Sequence, residues 1–199
     1  MYPLFETVCI KNGTILNGTY HESRFMHSYQ HHFHNAPDFS IFDTVHLTEL
    51  HPKKTYKLKI MYGKHDAVWT VSEYHNTIPT TLKVVMDDHI AYGLKFLDRA
   101  SLEHLYNQRA SFDDVLIIKN NLVTDASYAN ILFKKGTEIS TPKTPLLRGT
   151  CRARSIVEHT IVEKDIPVLE IPRFTHFQLI NAMNDYDPYR WISTKNIAL

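Results

Sequence analysis

One lysine, one aspartate and one glycine-led segment could together carry out chemistry. Lys95 lies among apolar neighbours in the run YGLKFLDR, where partial desolvation favours a neutral, nucleophilic amine. Asp125 follows in LVTDASYANILF, and the segment RGTCR, which contains Gly149, Thr150 and Cys151, comes later in the chain. Clustered backbone N–H groups at a helix entry bind anions. The order predicts a nucleophile, then an acid, then an anion-binding turn.

Each of these residues also has an ordinary structural interpretation when it is taken alone. Most lysines are surface charges, and an aspartate after a hairpin is often a turn carboxylate. Arg24, in HESRF, lies in a helical pattern where an exposed arginine is commonplace. The prediction of a site therefore depends on the combination of segments and their order.

These segments resemble the fold-type IV, or class-IV aminotransferase, family of pyridoxal-phosphate enzymes. The family includes branched-chain and D-amino-acid transaminases and aminodeoxychorismate lyases. Further matches are FET at residues 5–7, the His-x-x-Arg of HESRF, and NAM at residues 181–183. The resemblance covers most of the chain.

The resemblance implies a role for each candidate residue. Lys95 would form a Schiff base with pyridoxal 5'-phosphate, Asp125 would meet the ring nitrogen, and Arg24 would grip the phosphate as a forked donor. The phosphate would also meet the segment of Gly149, Thr150 and Cys151. Two departures stand out, because the family usually has glutamate where this chain has Asp125 and threonine where it has Cys151. The shorter side chain of Asp125 changes the depth at which the cofactor is expected to lie. Cys151 lacks the threonine hydroxyl but leaves backbone contacts to the phosphate possible.

The same residues serve more than one reaction. The resemblance favours the lyase branch, in which aminodeoxychorismate gives p-aminobenzoate and pyruvate for folate biosynthesis. The alternatives are an aminotransferase acting on branched-chain or D-amino acids, and a non-catalytic binding protein on the same fold. The expected partners are a small-molecule amino substrate and, by resemblance, a second copy of the chain in a homodimer.

Composition narrows the class of protein. The 22 basic and 21 acidic side chains give a net charge of +1, which supplies no general attraction to nucleic acid or to anionic membrane. No apolar run is long enough to span a bilayer, and two cysteines are too few for a disulfide framework. A cytoplasmic protein is therefore expected. His27 and His31 could bind zinc from one helix face, but they are expected to be surface histidines, and no metal is predicted.

Hydrophobic periodicity predicts an α+β protein, and the resemblance implies a two-domain class-IV aminotransferase fold with a trimmed N-terminal domain. Residues 1–90 are expected to form the small domain and 91–199 the larger, cofactor-binding one. The predicted elements, in chain order, are a hairpin over 4–16, a helix over 20–34 begun by a Thr19–Glu22 capping box, strands over 55–62, 67–74 and 82–86, a helix over 99–110, strands over 115–118 and 131–133, a helix over 152–159, and a last core strand over 177–180.

Overall fold

The computed structural model describes residues 2–48, 50–159 and 161–199. The chain divides into two compact units. The first contains residues 1–76 and 94–98, and the second contains 77–93 and 99–199. Among the described residues, no helix is both long and apolar enough to cross a bilayer.

The first unit is an antiparallel sheet with one long helix. Its elements are β1 (Leu4–Lys11), β2 (Thr14–Ile15), α1 (Gly18–Phe33), β3 (Thr55–Tyr62) and β4 (Ala67–Glu73). The sheet order is β2-β1-β3-β4. Asn12 and Gly13 join β1 to β2 with φ of 52° and 72°, as a two-residue hairpin turn requires. The predicted hairpin and the β3–β4 pair are confirmed.

Helix α1 begins differently from the prediction. It starts at Gly18 after Asn17, whose φ is 57° and whose side chain makes no cap hydrogen bond, so the predicted Thr19–Glu22 capping box is wrong. The left-handed backbone of Asn17 brings the chain from the hairpin straight into the helix, and His21 N–H already donates to the Asn17 carbonyl at 3.0 Å. His34, also left-handed, ends the helix.

The second unit is a mixed sheet flanked by short helices. Its elements are β5 (Leu82–Met86), α2 (Ala100–Tyr106), β6 (Asp114–Lys119), β7 (Leu122–Ala126), β8 (Asn130–Lys135), β9 (Glu138–Pro142), α3 (Thr150–His159), β10 (Val162–Lys164), β11 (His176–Ile180), β12 (Ile192–Ser193) and β13 (Ile197–Ala198). The order is β10-β9-β8-β7-β6-β5-β13, and β11 pairs with β8 and β12. The predicted α+β class is confirmed.

Strand β5 lies within residues 1–90, the predicted small domain, and its placement there is wrong. It pairs in parallel with β6 and with β13, so it belongs to the second unit. The unit boundary therefore differs from the predicted one at residue 90, and residues 94–98 return to the first unit. The apolar pattern of β5 indicates a strand but carries no information about its distant parallel partner.

Two other boundaries differ from the predictions. Helix α2 ends at Tyr106 and continues only as a 3₁₀ turn, because Ala110 has a φ of 56° that no helix can include. Strand β11 contains the predicted 177–180 strand but is not the last in the core, because Ile197 of β13 is also buried. The core of this unit includes Leu116, Phe133 and Phe177.

Candidate active site

A buried carboxylate organises the polar residues of the first unit. Side chains alternate across a strand, so Glu6 shares the face of β1 that Leu4 and Val8 use for core packing. His21 and Arg24 lie one turn apart on α1 and meet it there. Glu6 Oε2 lies 2.6 Å from His21 Nδ1, and Arg24 donates to both Glu6 oxygens, from Nε at 2.8 Å and from Nη2 at 2.5 Å. The Glu6 and His21 side chains are fully buried.

The charge of Glu6 is stabilised by its partners. Burial alone would raise the pKa of Glu6, but the Arg24 charge and the hydrogen bonds from His21 and Arg24 outweigh burial and lower that pKa to about 2. The Glu6 carboxylate in turn fixes the orientation of the Arg24 guanidinium. Two nitrogens of the fork predicted to hold phosphate are thus already bonded to Glu6.

Lys95 belongs to a short segment that lies along β1. Phe5 N–H donates to the Lys95 carbonyl at 3.1 Å, and Leu97 N–H donates to the Pro3 carbonyl at 2.8 Å. The half-buried Lys95 side chain places Nζ 4.6 Å from the centre of the Phe5 ring. A cation is favourable over an aromatic face, and the apolar contact partly desolvates the amine.

Asp125 is buried near the end of β7, in the second unit. Its Oδ1 accepts a hydrogen bond from Asn130 Nδ2 at 2.7 Å, and its Oδ2 accepts one from the Leu147 N–H at 2.9 Å. Burial raises the pKa of Asp125 to about 6, although these amide donors and the charge of Arg152 act in the opposite direction. This carboxyl group therefore changes protonation state close to neutral pH.

Asn130 connects Asp125 to the glycine-led loop. Asn130 stands directly opposite Asp125 in the β7–β8 pair, and its Nδ2 also donates to the Leu147 carbonyl at 2.9 Å. A Cβ added to Gly149 would lie 1.9 Å from Asn130 Oδ1. Glycine is therefore required at 149 for a close approach, and the group that approaches is the side chain of Asn130.

The side chains at the start of α3 turn toward the protein interior. Cys151 Sγ donates to Asp185 Oδ1 at 3.2 Å, and burial with the nearby Asp185 charge raises the pKa of Cys151 to about 12. Arg152 Nη2 donates to the Pro142 carbonyl and to Glu163. An anion at this helix end would consequently meet backbone N–H groups rather than the Cys151 thiol or the Arg152 guanidinium.

A cavity of about 480 Å³ opens in the same unit. Residues 90–93, the β6–β7 hairpin and the 144–146 loop contribute to its wall. Thr124 and Leu146 are among the lining residues, and they precede Asp125 and Leu147 in the chain. A volume of this order is typical of small-molecule sites.

Comparison with known proteins identifies the family of this chain. The family model of amino-transferase class IV matches residues 3–188. The chain belongs to this family. The class IV aminotransferase fold implied by the sequence is therefore confirmed.

Three similar proteins illustrate the range of the matches. An uncharacterized protein of Haemophilus influenzae is 37% identical over 186 residues, which cover 92% of this chain and 99% of that protein. The crystal structure of a candidate 4-amino-4-deoxychorismate lyase from Haemophilus somnus is 30% identical, has a TM-score of 0.82, and is matched over 94% of this chain and 98% of its own. An aminotransferase from Brucella abortus, with its cofactor PLP bound, has a TM-score of 0.76 at 14% identity, with coverages of 96% and 85%.

The predicted site residues of this class IV chain fall in both units. In the first unit, Arg24 is bonded to Glu6 and Lys95 lies against Phe5. In the second, Asn130 brings the Asp125 carboxylate and the loop at Gly149 together. Thr150 is buried at the start of α3, and the Cys151 side chain points to Asp185.

The sequence predicts no separate role for Glu6 or Asn130. Both occur within motifs that resemble the family, FET and VTDASYAN. The available signal was the acidic Glu6 between Leu4 and Val8 in the alternating pattern of the strand, since a buried carboxylate requires partners. For Asn130 the signal was its spacing after Asp125, which suits a tight hairpin.

His27 and His31 lie on the exposed side of α1, with their ring centres 4.3 Å apart. Within residues 2–48, 50–159 and 161–199, no group of three or more histidine, cysteine or acidic side chains is arranged to hold a metal ion. The surface placement expected for this pair is confirmed.

Proposed function

We propose that this chain is a pyridoxal-phosphate-dependent enzyme that converts aminodeoxychorismate into p-aminobenzoate and pyruvate. The observation that carries the proposal is the environment of Asp125. The buried Asp125 carboxyl group accepts hydrogen bonds from uncharged amides, and its pKa is about 6. Glu6, in contrast, is hydrogen-bonded to the cationic Arg24. A protonated pyridine nitrogen would supply that charge, because burial strengthens the attraction between opposite charges.

The remaining residues fit the other parts of the cofactor. Pyridoxal phosphate supplies an aldehyde carbon that accepts amines and a ring that withdraws electrons from the substrate. Lys95 would hold the cofactor covalently and later move the proton at the substrate carbon. Arg24 and the backbone N–H groups of Gly149, Thr150 and Cys151 would hold the phosphate.

For Arg24, the proposal assigns a role that its contact with Glu6 makes possible. A guanidinium carries five N–H donors, and the fork toward Glu6 uses two of its nitrogens. The Glu6 carboxylate orients the group and balances part of its charge. Arg24 would therefore meet an anion as a guanidinium already oriented by Glu6.

The choice of lyase over aminotransferase depends on two observations. The structure from Haemophilus somnus, named as a candidate lyase, is 30% identical with a TM-score of 0.82, whereas the aminotransferase from Brucella abortus at 14% identity shows the fold alone. In addition, Asn181 of the NAM segment donates to the Tyr128 carbonyl at 3.2 Å, just after the strand of Asp125. This motif, which resembles a segment of the lyases and of some transaminases, thus contacts the same hairpin.

The proposal also includes a cytoplasmic location and a homodimer. Multi-angle light scattering on the purified holoprotein tests the dimer, which predicts twice the 23.2 kDa mass of one chain. A monomer at micromolar concentration would contradict it. Localisation of the tagged full-length chain by cell fractionation tests the cytoplasmic assignment, and recovery from the membrane fraction would contradict that.

The reaction can be tested by offering aminodeoxychorismate to the holoenzyme without a keto-acid acceptor. The proposal predicts stoichiometric pyruvate and p-aminobenzoate, which a coupled dehydrogenase assay and fluorescence detect. If the holoenzyme forms no pyruvate but exchanges amino groups between amino and keto acids, the activity is transamination. If the chain shows no cofactor absorbance after incubation with pyridoxal phosphate, the enzyme proposal fails altogether.

A further inference from the structure

The turn that follows Asp125 determines which residue faces that carboxylate. Ala126 N–H donates to the Ala129 carbonyl at 2.9 Å, so the chain reverses within four residues. Asp125 and Asn130 form the register pair of β7 and β8. A one-residue slip in this turn would send the Asn130 side chain to the opposite face and remove its hydrogen bond to Asp125.

Arg99 holds this turn from the start of α2. Its Nη2 donates to the Ser127 carbonyl at 2.8 Å, and its guanidinium carbon lies 4.2 Å from the centre of the Tyr128 ring. On the other side it lies 5.5 Å from the Tyr92 ring, and Nη1 donates to the Tyr92 hydroxyl at 3.3 Å. One side chain thus contacts the backbone and an aromatic ring of the turn at the same time.

Other contacts also hold the turn, and that of Arg99 is a charge-assisted one to a backbone carbonyl. Ser127 Oγ donates to Asp114 Oδ1 at 2.5 Å, and the Asn181 amide donates to the Tyr128 carbonyl at 3.2 Å. Hydrogen bonds from a charged donor are roughly twice as strong as neutral ones. Of the two contacts to turn carbonyls, the Asn181 bond is the longer, so the loss of Arg99 should loosen the turn more than the loss of Asn181.

The chemistry of the contact is specific to arginine. Arg99 Nε is buried without a hydrogen-bond partner among the described residues. Lysine would avoid that unpaired N–H, but it lacks the planar group that stacks on Tyr128 while donating sideways to Ser127. The fold therefore tolerates an unfavourable buried donor where the guanidinium plane makes both contacts.

We propose that Arg99 is a positioning residue for Asp125, which acts through the Ala126–Ala129 turn and keeps the carboxylate opposite Asn130. The inference goes beyond the proposed function by adding a residue that touches neither substrate nor cofactor. It rests on the proposed function only for the statement that the Asp125 carboxylate serves a ring nitrogen.

The test uses Arg99→Gln, with Arg109→Gln as the matched control. Arg109 also stacks on a tyrosine, 3.9 Å from the Tyr106 ring, and donates to the Tyr106 carbonyl, but it makes no hydrogen bond to the turn. The first readout is amide hydrogen exchange at Ala126 in the apoprotein. Loss of a charged hydrogen bond predicts exchange about tenfold faster in Arg99→Gln and little change in Arg109→Gln.

The second readout separates positioning from a structural role. In the holoprotein, the pH midpoint of the cofactor absorbance band should move by about one pH unit, a tenfold change in proton affinity, in Arg99→Gln but not in Arg109→Gln. Faster exchange with an unmoved midpoint would overturn the proposal, because Arg99 would then stabilise the turn without affecting Asp125. Unchanged exchange would overturn it as well.

A second variant tests the proposal if Arg99→Gln does not fold. Tyr128→Leu removes the stacking surface and leaves the arginine. The proposal predicts that this variant also exchanges faster at Ala126 and also moves the pH midpoint of the cofactor band. Unaltered exchange and midpoint in Tyr128→Leu would then count against it. If the wild-type chain binds no pyridoxal phosphate, the proposed function fails, while the exchange at Ala126 still decides whether Arg99 holds the turn.

Discussion

Replacing Gly149 with alanine should damage the site of Asp125 without touching that residue. The added Cβ would lie 1.9 Å from Asn130 Oδ1 and 3.1 Å from its Cγ, and real Cβ contacts are essentially never shorter than 3.0 Å. The Asn130 amide must therefore move by about 1 Å, or the loop must shift by a similar amount. Either movement separates Asn130 from Asp125 or Leu147.

The expected loss of stability follows from the hydrogen bonds that hold the Asn130 amide in place. Nδ2 donates to Asp125 at 2.7 Å and to the Leu147 carbonyl at 2.9 Å, and the residue is only 6% exposed. A hydrogen bond to a charged group contributes about 1.5–3 kcal/mol, and a neutral one contributes about 1 kcal/mol. Gly149→Ala should therefore lower the free energy of unfolding by about 2–4 kcal/mol.

The assay is urea denaturation of the apoproteins in a double-mutant cycle. Asn130→Ala removes the amide with which the added Cβ of Gly149→Ala would clash. The double variant should therefore lose about 1–3 kcal/mol less free energy of unfolding than the sum of the two single variants. Gly18→Ala is the matched control. Gly18 also opens a helix, but its added Cβ would lie at an ordinary 3.6 Å from Ile15. That variant should retain wild-type stability.

Additive effects within about 0.5 kcal/mol would refute this reasoning, because the loop would then be shown to absorb the methyl group independently of Asn130. A neutral Gly149→Ala would refute it too. In the holoprotein, the same variant should weaken pyridoxal-phosphate affinity, which an absorbance titration measures.

The other predictions concern charge and side-chain direction. Glu6→Gln removes the buried carboxylate that the 10%-exposed Arg24 side chain contacts and should destabilise the chain by about 3–5 kcal/mol in urea denaturation, whereas a loss below 1 kcal/mol would contradict the contacts. Because burial raises the folded-state pKa of Asp125 to about 6, the apoprotein should lose about 3 kcal/mol of stability as the pH rises from about 4 to 6. Asp125→Asn should lack that part of the pH dependence, and an identical profile would refute the shift. Cys151→Ser should keep wild-type cofactor affinity in an absorbance titration, because Sγ faces Asp185, and a large loss would contradict that orientation.

Local signals in the sequence were sufficient for much of the fold. The turn at Asn12-Gly13, within the predicted hairpin, has positive φ at both residues. Asp125 lies near the end of a strand that follows a hairpin turn. These features depend on a few neighbouring residues. The parallel pairing of β5 with β6 depends on contacts between residues about 30 positions apart, so no local pattern could assign it.

The site was predictable at the level of residue identity but not of side-chain direction. Cys151 occupies the expected position, yet its thiol faces Asp185, since the helix phase of α3 sends it to the core. Arg24 was expected to grip phosphate, and its contact with Glu6 could only be found once α1 lay on β1. The role of Asn130 likewise depends on the register of a single hairpin.

The most direct test of the central claim is chemical. Holoprotein reconstituted with pyridoxal phosphate is reduced with borohydride, digested and examined by mass spectrometry, with Lys95→Ala in parallel. The cofactor adduct should lie on the peptide that contains Lys95, and the variant should carry none. An adduct on another lysine, or an equal adduct in Lys95→Ala, would contradict the account.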